Sequence, residues 1–183
     1  PAPWVTSVAA STYDGVSAIL GDTLTIGYGI DNEDAVIALP AGFGPAFETF
    51  SGNAVLAQPV VACDTDPLTN AADLAGNVAV IARGSCAFTE KVINAQEAGA
   101  TAVVVYTTSG TSPFNMGGDD PAVAIPSAMI SHDDGIALAN HLTEDVATVA
   151  YSQEIQTGES IEVGNIMATF SSKGPNLSTY DVI

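Results

Sequence analysis

The chain has 183 residues, 47% of them hydrophobic, with 3 Lys+Arg against 21 Asp+Glu and a formal net charge of −18. That is enough apolar material for a buried core, and the charge excludes nucleic acid and anionic membrane as partners, because both are held by clustered cations. Nothing basic precedes Arg83, and no run reaches the roughly 18 consecutive apolar residues of a membrane-spanning helix.

In chain order, Leu24 to Gly29 alternates apolar and polar residues and predicts a strand. Gly42 to Pro45 marks a loop, Asn53 to Ala62 predicts a strand leading into Cys63, and Asp64 to Thr69 predicts a turn. Asn77 to Ala82 (NVAVIA) and Ala102 to Tyr106 (AVVVY) are short apolar runs of buried-strand length. Between them, Phe88, Val92, Ala95 and Ala98 step by four, three and three, which places them on one helical face. Gly99 stands where a helix C-terminus favours positive φ. A strand, a helix and a strand within about 30 residues make a crossover unit with parallel strands. Thr107 to Pro121 is rich in Gly, Ser, Asp and Pro and predicts an exposed loop. Ala128 to Ile130 predicts a short strand. Ser131 then caps a helix with Asp133 and Asp134 in its first turn, running to about Leu142. Asp145 to Ser152 and Gln153 to Val163 supply closing strands.

The string GNVAVIARGSCAFTEKVINAQEAGATAVVVY, with its RG pair, Cys86, Phe88, Lys91 and the AGA turn, resembles the core of the protease-associated (PA) domain. The later IPSAMI stretch, Ile125 to Ile130, followed by a helical segment, fits the same family, and together they cover roughly Val55 to Leu142. The resemblance implies a non-catalytic module of β-rich α/β fold, of the swivelling β/β/α type, with a mixed sheet and two flanking helices. The two ends differ. PAPWVTSVAAST at Pro1 to Thr12 and IMATFSSKGPNLSTYDVI at Ile166 to Ile183 are similar to pieces of subtilisin-like serine proteases (subtilases). The implied organisation is a subtilase flanking strand over 1–14, a PA domain over 15–160 and a subtilase flanking hairpin over 161–183. Insertion of a whole domain at a loop is tolerated because closure entropy grows only logarithmically with length. The chain begins at Pro1 without a signal peptide and is expected to be a piece of a longer, secreted, extracellular protease.

Two cysteines, Cys63 and Cys86, lie 23 positions apart. In an acidic, exported chain an even count points to one disulfide, against two free buried thiols or half of a metal site. No catalytic residue is assigned. Ser171 and Ser172 fall in a structural hairpin of the subtilase pattern, whose nucleophile, Asp, His and oxyanion-hole Asn motifs are not in this chain. His132 and His141 are nine apart, so they project from opposite faces of one helix and cannot share a metal. His132 reads as solvated, and His141 as gaining from the helix dipole. Lys91 and Arg83, near Glu90 and Glu97, read as pairing with carboxylates over the core edge, or else as orienting a peptide carboxylate. Calcium is weighed at Asp31-Asn32-Glu33-Asp34, at Asp64 with Asp66, and at Asp119-Asp120; none matches a D-x-D-x-D-G loop, so neither cofactor nor metal is expected.

The interaction surface is expected at Tyr106, Phe114, Asn115 and Met116, where apolar side chains stand in a Gly- and Asp-rich loop beside a sheet edge. Phe114 folding back over the sheet is the alternative. Partners are then protein or peptide substrates of the parent protease and its catalytic domain. The competing function is a structural spacer without a ligand.

Overall fold

A computed structural model describes residues 15–29, 32–45, 49–64 and 67–162, with side chains for those between 20 and 156. The chain divides into two units, Leu20–Gly158 and Pro1–Ile19 with Glu159–Ile183. The flanking serines Ser171 and Ser172 lie outside the described residues.

Among the described residues seven strands close into a barrel: β1 (Gly15–Gly27), β2 (Glu33–Pro40), β3 (Phe50–Leu56), β4 (Val78–Ala82), β5 (Ala102–Tyr106), β6 (Ser127–Ile130) and β7 (Ala147–Glu162). Their order around the barrel is β1-β2-β6-β5-β4-β3-β7. Among the described residues three helices accompany them: α1 (Ala71–Leu74), α2 (Phe88–Glu97) and α3 (His132–His141). The fold is a mixed α/β arrangement, parallel through β3-β4-β5-β6 and antiparallel at β1-β2, β2-β6 and β3-β7.

β4 and β5 are parallel, with Val78 opposite Ala102 and Ala82 opposite Tyr106. Both strands are buried on two faces, which is why each reads as an unbroken valine-rich run rather than an alternation. One side of every strand fills the barrel, as Leu24, Ile26, Val80, Val104, Ile130 and Val149 do. The opposite side of the parallel strands, through Ile81, Val103 and Met129, packs under α2 at Val92 and Ala95. Gly99 takes a φ of 87° just past α2, a left-handed turn that a Cβ would crowd against Ala75 at 3.3 Å. Ser131 caps α3, its Oγ accepting from the Asp134 amide at 3.2 Å.

Several expectations are corrected. The barrel has no free edge beside Tyr106, because β5 is hydrogen-bonded to β4 and β6. Asn53 to Ala62 is not one strand; β3 ends at Leu56 and the chain turns through a cis Gln58–Pro59 bond. Glu33 and Asp34 belong to β2 rather than to an acidic loop. The two closing strands are one continuous β7.

Candidate functional site

Helix α2 is the organising element, and two loops are tied to it. On one side runs the loop 61–64. The Lys91 ammonium donates to the Val61 carbonyl at 2.5 Å, the Asn94 amide donates to the Ala62 carbonyl at 3.0 Å, and the Glu90 carboxylate accepts from the Asp64 amide at 2.9 Å. The Cys63–Cys86 disulfide joins this loop to the turn that precedes the helix. Ala62 holds a φ of 48°, a left-handed conformation uncommon for a residue with a side chain. These four tethers account for how that conformation is kept.

The other loop follows β5. Phe114 meets Phe88 edge-on, with ring centroids 6.0 Å apart. Gly118 approaches so closely that a Cβ would lie 2.6 Å from Thr89 Cγ2. Gln96 holds the loop's far end, donating to the Ala122 carbonyl at 3.0 Å and accepting from the Ala124 amide at 2.7 Å. Between the two loops the exposed back of α2 forms an open cleft of about 440 Å³. Asp64, Glu90, Glu97 and Asp120 line it with Thr89 and Asn94. A smaller cleft of about 280 Å³ adjoins it, sharing Asp64, Asn94 and Glu97. The dominant chemistry of this face is carboxylate.

The predicted site residues separate. Tyr106 and Met116 are 7% and 0% exposed, so neither is an accessible contact. The Met116 side chain joins the core under α2, and its carbonyl accepts from the Gly42 amide at 2.8 Å. The Tyr106 side chain lies against Gly135 of α3, and burial pushes its phenol pKa up. Asn115 is exposed, its amide donating to the Pro40 carbonyl at 2.9 Å. Phe114 is half-buried and folded back, with the Arg83 guanidinium 4.9 Å from its ring centroid.

The cations also depart from expectation. Arg83 stacks on Phe114 and donates weakly to Thr107 at 3.5 Å rather than pairing with Glu90 or Glu97. Lys91 does not snorkel; it is 0% exposed, and no carboxylate pairs with it among the described residues. Desolvation lowers its pKa, opposed by the charge of Glu90. The signal was available in the spacing: Lys91 follows Phe88 by three and precedes Ala95 by four, which puts it on the apolar stripe. His132 is half-buried rather than solvated, with Nδ1 3.1 Å from the Thr107 carbonyl. His141 Nε2 lies 3.1 Å from the Val146 carbonyl, and its ring meets Tyr28 edge-on. Each imidazole thus serves α3's own surroundings.

Cys63, Cys86 and Glu90 bring ligand-type atoms within 4.8 Å of one another. The two sulfurs are spent on each other, so no thiolate is there for a metal.

Residues 49–138, spanning β3 through α2 into α3, match the family model of the PA domain. This segment is a PA domain. PA domains are non-catalytic protease-associated modules, found both in proteases and in RING ubiquitin ligases. The chain is 36% identical over 109 residues to the minor extracellular protease Vpr of Bacillus subtilis, covering 59% of this chain and 12% of that protein. It is 32% identical over 118 residues to the E3 ubiquitin-protein ligase Godzilla of Drosophila melanogaster, covering 61% and 22%. Among solved structures, an aminopeptidase from Aneurinibacillus sp. strain AM-1 superposes with a TM-score of 0.55 at 25% identity, over 81% of this chain and 36% of that one. The PA domain here therefore corresponds to a minor part of each relative.

Proposed function

We propose that this chain is the PA domain of a secreted subtilisin-like serine protease, and that it contacts protein substrates or controls their access to the parent's active site. The observation that carries the binding role is the acid-lined cleft on α2, open between two tethered loops. Four carboxylates around one concavity attract cationic or amine-bearing polypeptide, and charge complementarity raises encounter rates as well as selecting partners. The contact surface is accordingly redrawn around α2, keeping Phe114 and Asn115 at its margin and dropping Tyr106 and Met116. Similarity to an extracellular protease supports the exported parent, and the subtilase-like strings at both ends support its class.

Deleting Gly15 to Glu159 from the full-length parent tests this. Turnover of casein falls severalfold while turnover of a short chromogenic peptide stays unchanged if the domain governs macromolecular access. Equal turnover of both leaves only the spacer. Loss of parent activity to a metal chelator, with resistance to a serine-directed inhibitor, replaces the subtilase parent by an aminopeptidase-like one.

A further inference from the structure

The two sulfurs of the disulfide stand in unequal surroundings. Cys63 is 4% exposed, while Cys86 is half-buried in the turn before α2. The Lys91 ammonium lies 3.6 Å from Cys63 Sγ, inside the core, and donates toward it. A thiolate attacks a disulfide at the sulfur it can reach, and the bond breaks toward the sulfur that best carries negative charge. Both criteria select the same direction here.

We propose that the Cys63–Cys86 bridge is a directional thiol-exchange site, at which an external thiolate attacks Cys86 Sγ and Cys63 leaves as a thiolate held by Lys91. The incoming sulfur forms a new S–S bond to Cys86. The old S–S bond breaks, and its electron pair goes to Cys63 Sγ. The product is a mixed disulfide on Cys86 and one thiolate on Cys63; no further oxidant is needed. The ligand class is a low-molecular-weight thiol or the reactive cysteine of a partner protein.

Other groups facing the bridge act on both sides of this balance. Cys86 lies close to the α2 N-terminus, whose dipole would favour its own thiolate. That is a partial charge at a partly exposed site, against a full ammonium in contact with the buried sulfur. Glu90, within 4.8 Å of both sulfurs, opposes any thiolate there and repels an anionic attacker. The Val61 and Gly84 carbonyls, 3.6 and 3.9 Å from Cys63 Sγ, suit the thiol formed when Cys63 later takes a proton from solvent. Exchange would leave the 61–64 loop on its three hydrogen bonds from α2, loosened but not lost, at the rim of both clefts.

The folded chain is incubated with excess glutathione, quenched in acid, blocked at its free thiols under denaturing conditions and mapped by mass spectrometry. Glutathione on Cys86 with the block on Cys63 is expected. An adduct on Cys63, an even split, or a bridge that stays intact in the folded chain overturns the proposal. Glu90→Gln, which keeps the acceptor for the Asp64 amide, is expected to speed exchange by about two- to fivefold through lost repulsion. Lys91→Met, assayed at a temperature where its circular dichroism matches that of the native chain, is expected to slow it about tenfold or more. Unchanged rates in both variants overturn the role of the two charges.

Discussion

The Lys91 ammonium reaches across the base of α2 to the Val61 carbonyl at 2.5 Å, although its side chain has no solvent exposure. A buried amine with no carboxylate partner among the described residues is tolerable because the carbonyl, and beyond it Cys63 Sγ, occupy its donors. Lys91→Met keeps the side-chain length but leaves that carbonyl unbonded, a cost of about 1–3 kcal/mol that relief of charge desolvation partly offsets. The net expectation is about 1 kcal/mol of lost stability at pH 7 by urea unfolding. The pH dependence has a definite sign. Burial lowers the folded pKa below the ordinary value of 10.5, so between the two the unfolded chain binds more protons and stability rises with pH. The gap between the native chain and Lys91→Met should therefore widen from pH 7 toward pH 10.5. A constant gap would contradict a buried, depressed amine.

Tyr151 on β7 donates its hydroxyl to the Asp22 carboxylate on β1. Desolvation first, then the bond to Asp22 and its charge, push the phenol's pKa far above 10. Because the folded value is raised, this stabilisation is complete below pH 10 and is lost as pH climbs beyond it. Tyr151→Phe should lose about 1–2 kcal/mol at pH 7, a charged hydrogen bond in a part-buried site. Its deficit should shrink above pH 10. Tyr28 and Tyr106, whose values are also raised, stay in both proteins and cancel in the comparison. A deficit that holds steady through pH 11 would count against the pairing.

The crossover β4-α2-β5 was legible because three independent signals agree there: two valine-rich runs, a helical stripe between them and a glycine at the turn. The capped start of α3 was legible for the same reason. Barrel closure was not, since it depends on β7 pairing with β1 and β3 and on β2 pairing with β6, strands far apart in sequence, and periodicity says nothing about which strands meet. The candidate surface failed in part for a related reason. Met116 lies in a run of Gly, Ser and Asp that reads as solvent-facing, yet tertiary packing folds its side chain under α2, an outcome local composition cannot encode. Lys91 was misread because its charge was given more weight than its place on the stripe.

The disulfide closes a separation of 23 residues around the segment that includes α1 and β4. Replacing both cysteines by serine should cost about 3 kcal/mol, chiefly by freeing the unfolded chain. At the size of this chain that corresponds to a fall in Tm of roughly 6–12 °C by calorimetry. The loop should nevertheless keep its place, because Lys91, Asn94 and Glu90 still hold Val61, Ala62 and Asp64. Amide exchange at Asp64 reports this directly: protection is expected to weaken but persist in the double serine variant. Complete loss of protection would show that the bridge alone positions the loop.

Gly135 lets α3 lie directly on β5. A Cβ there would stand 2.0 Å from Tyr106 Cβ and 2.3 Å from its Cγ. Alanine is the better helix former by about 1 kcal/mol, which on an exposed helix would make Gly135→Ala stabilising. Here the overlap decides the outcome. The Tyr106 Cβ is fixed to the β5 backbone, so no rotamer change relieves the contact and the helix itself must retreat. A net loss of about 2–3 kcal/mol is expected in denaturant unfolding. Because the closest clash is with Cβ rather than the ring, Tyr106→Ala should rescue little of it. Gly135→Ala should remain destabilising in that background, and full rescue would mean that the ring, not the backbone-fixed Cβ, sets the helix–strand distance.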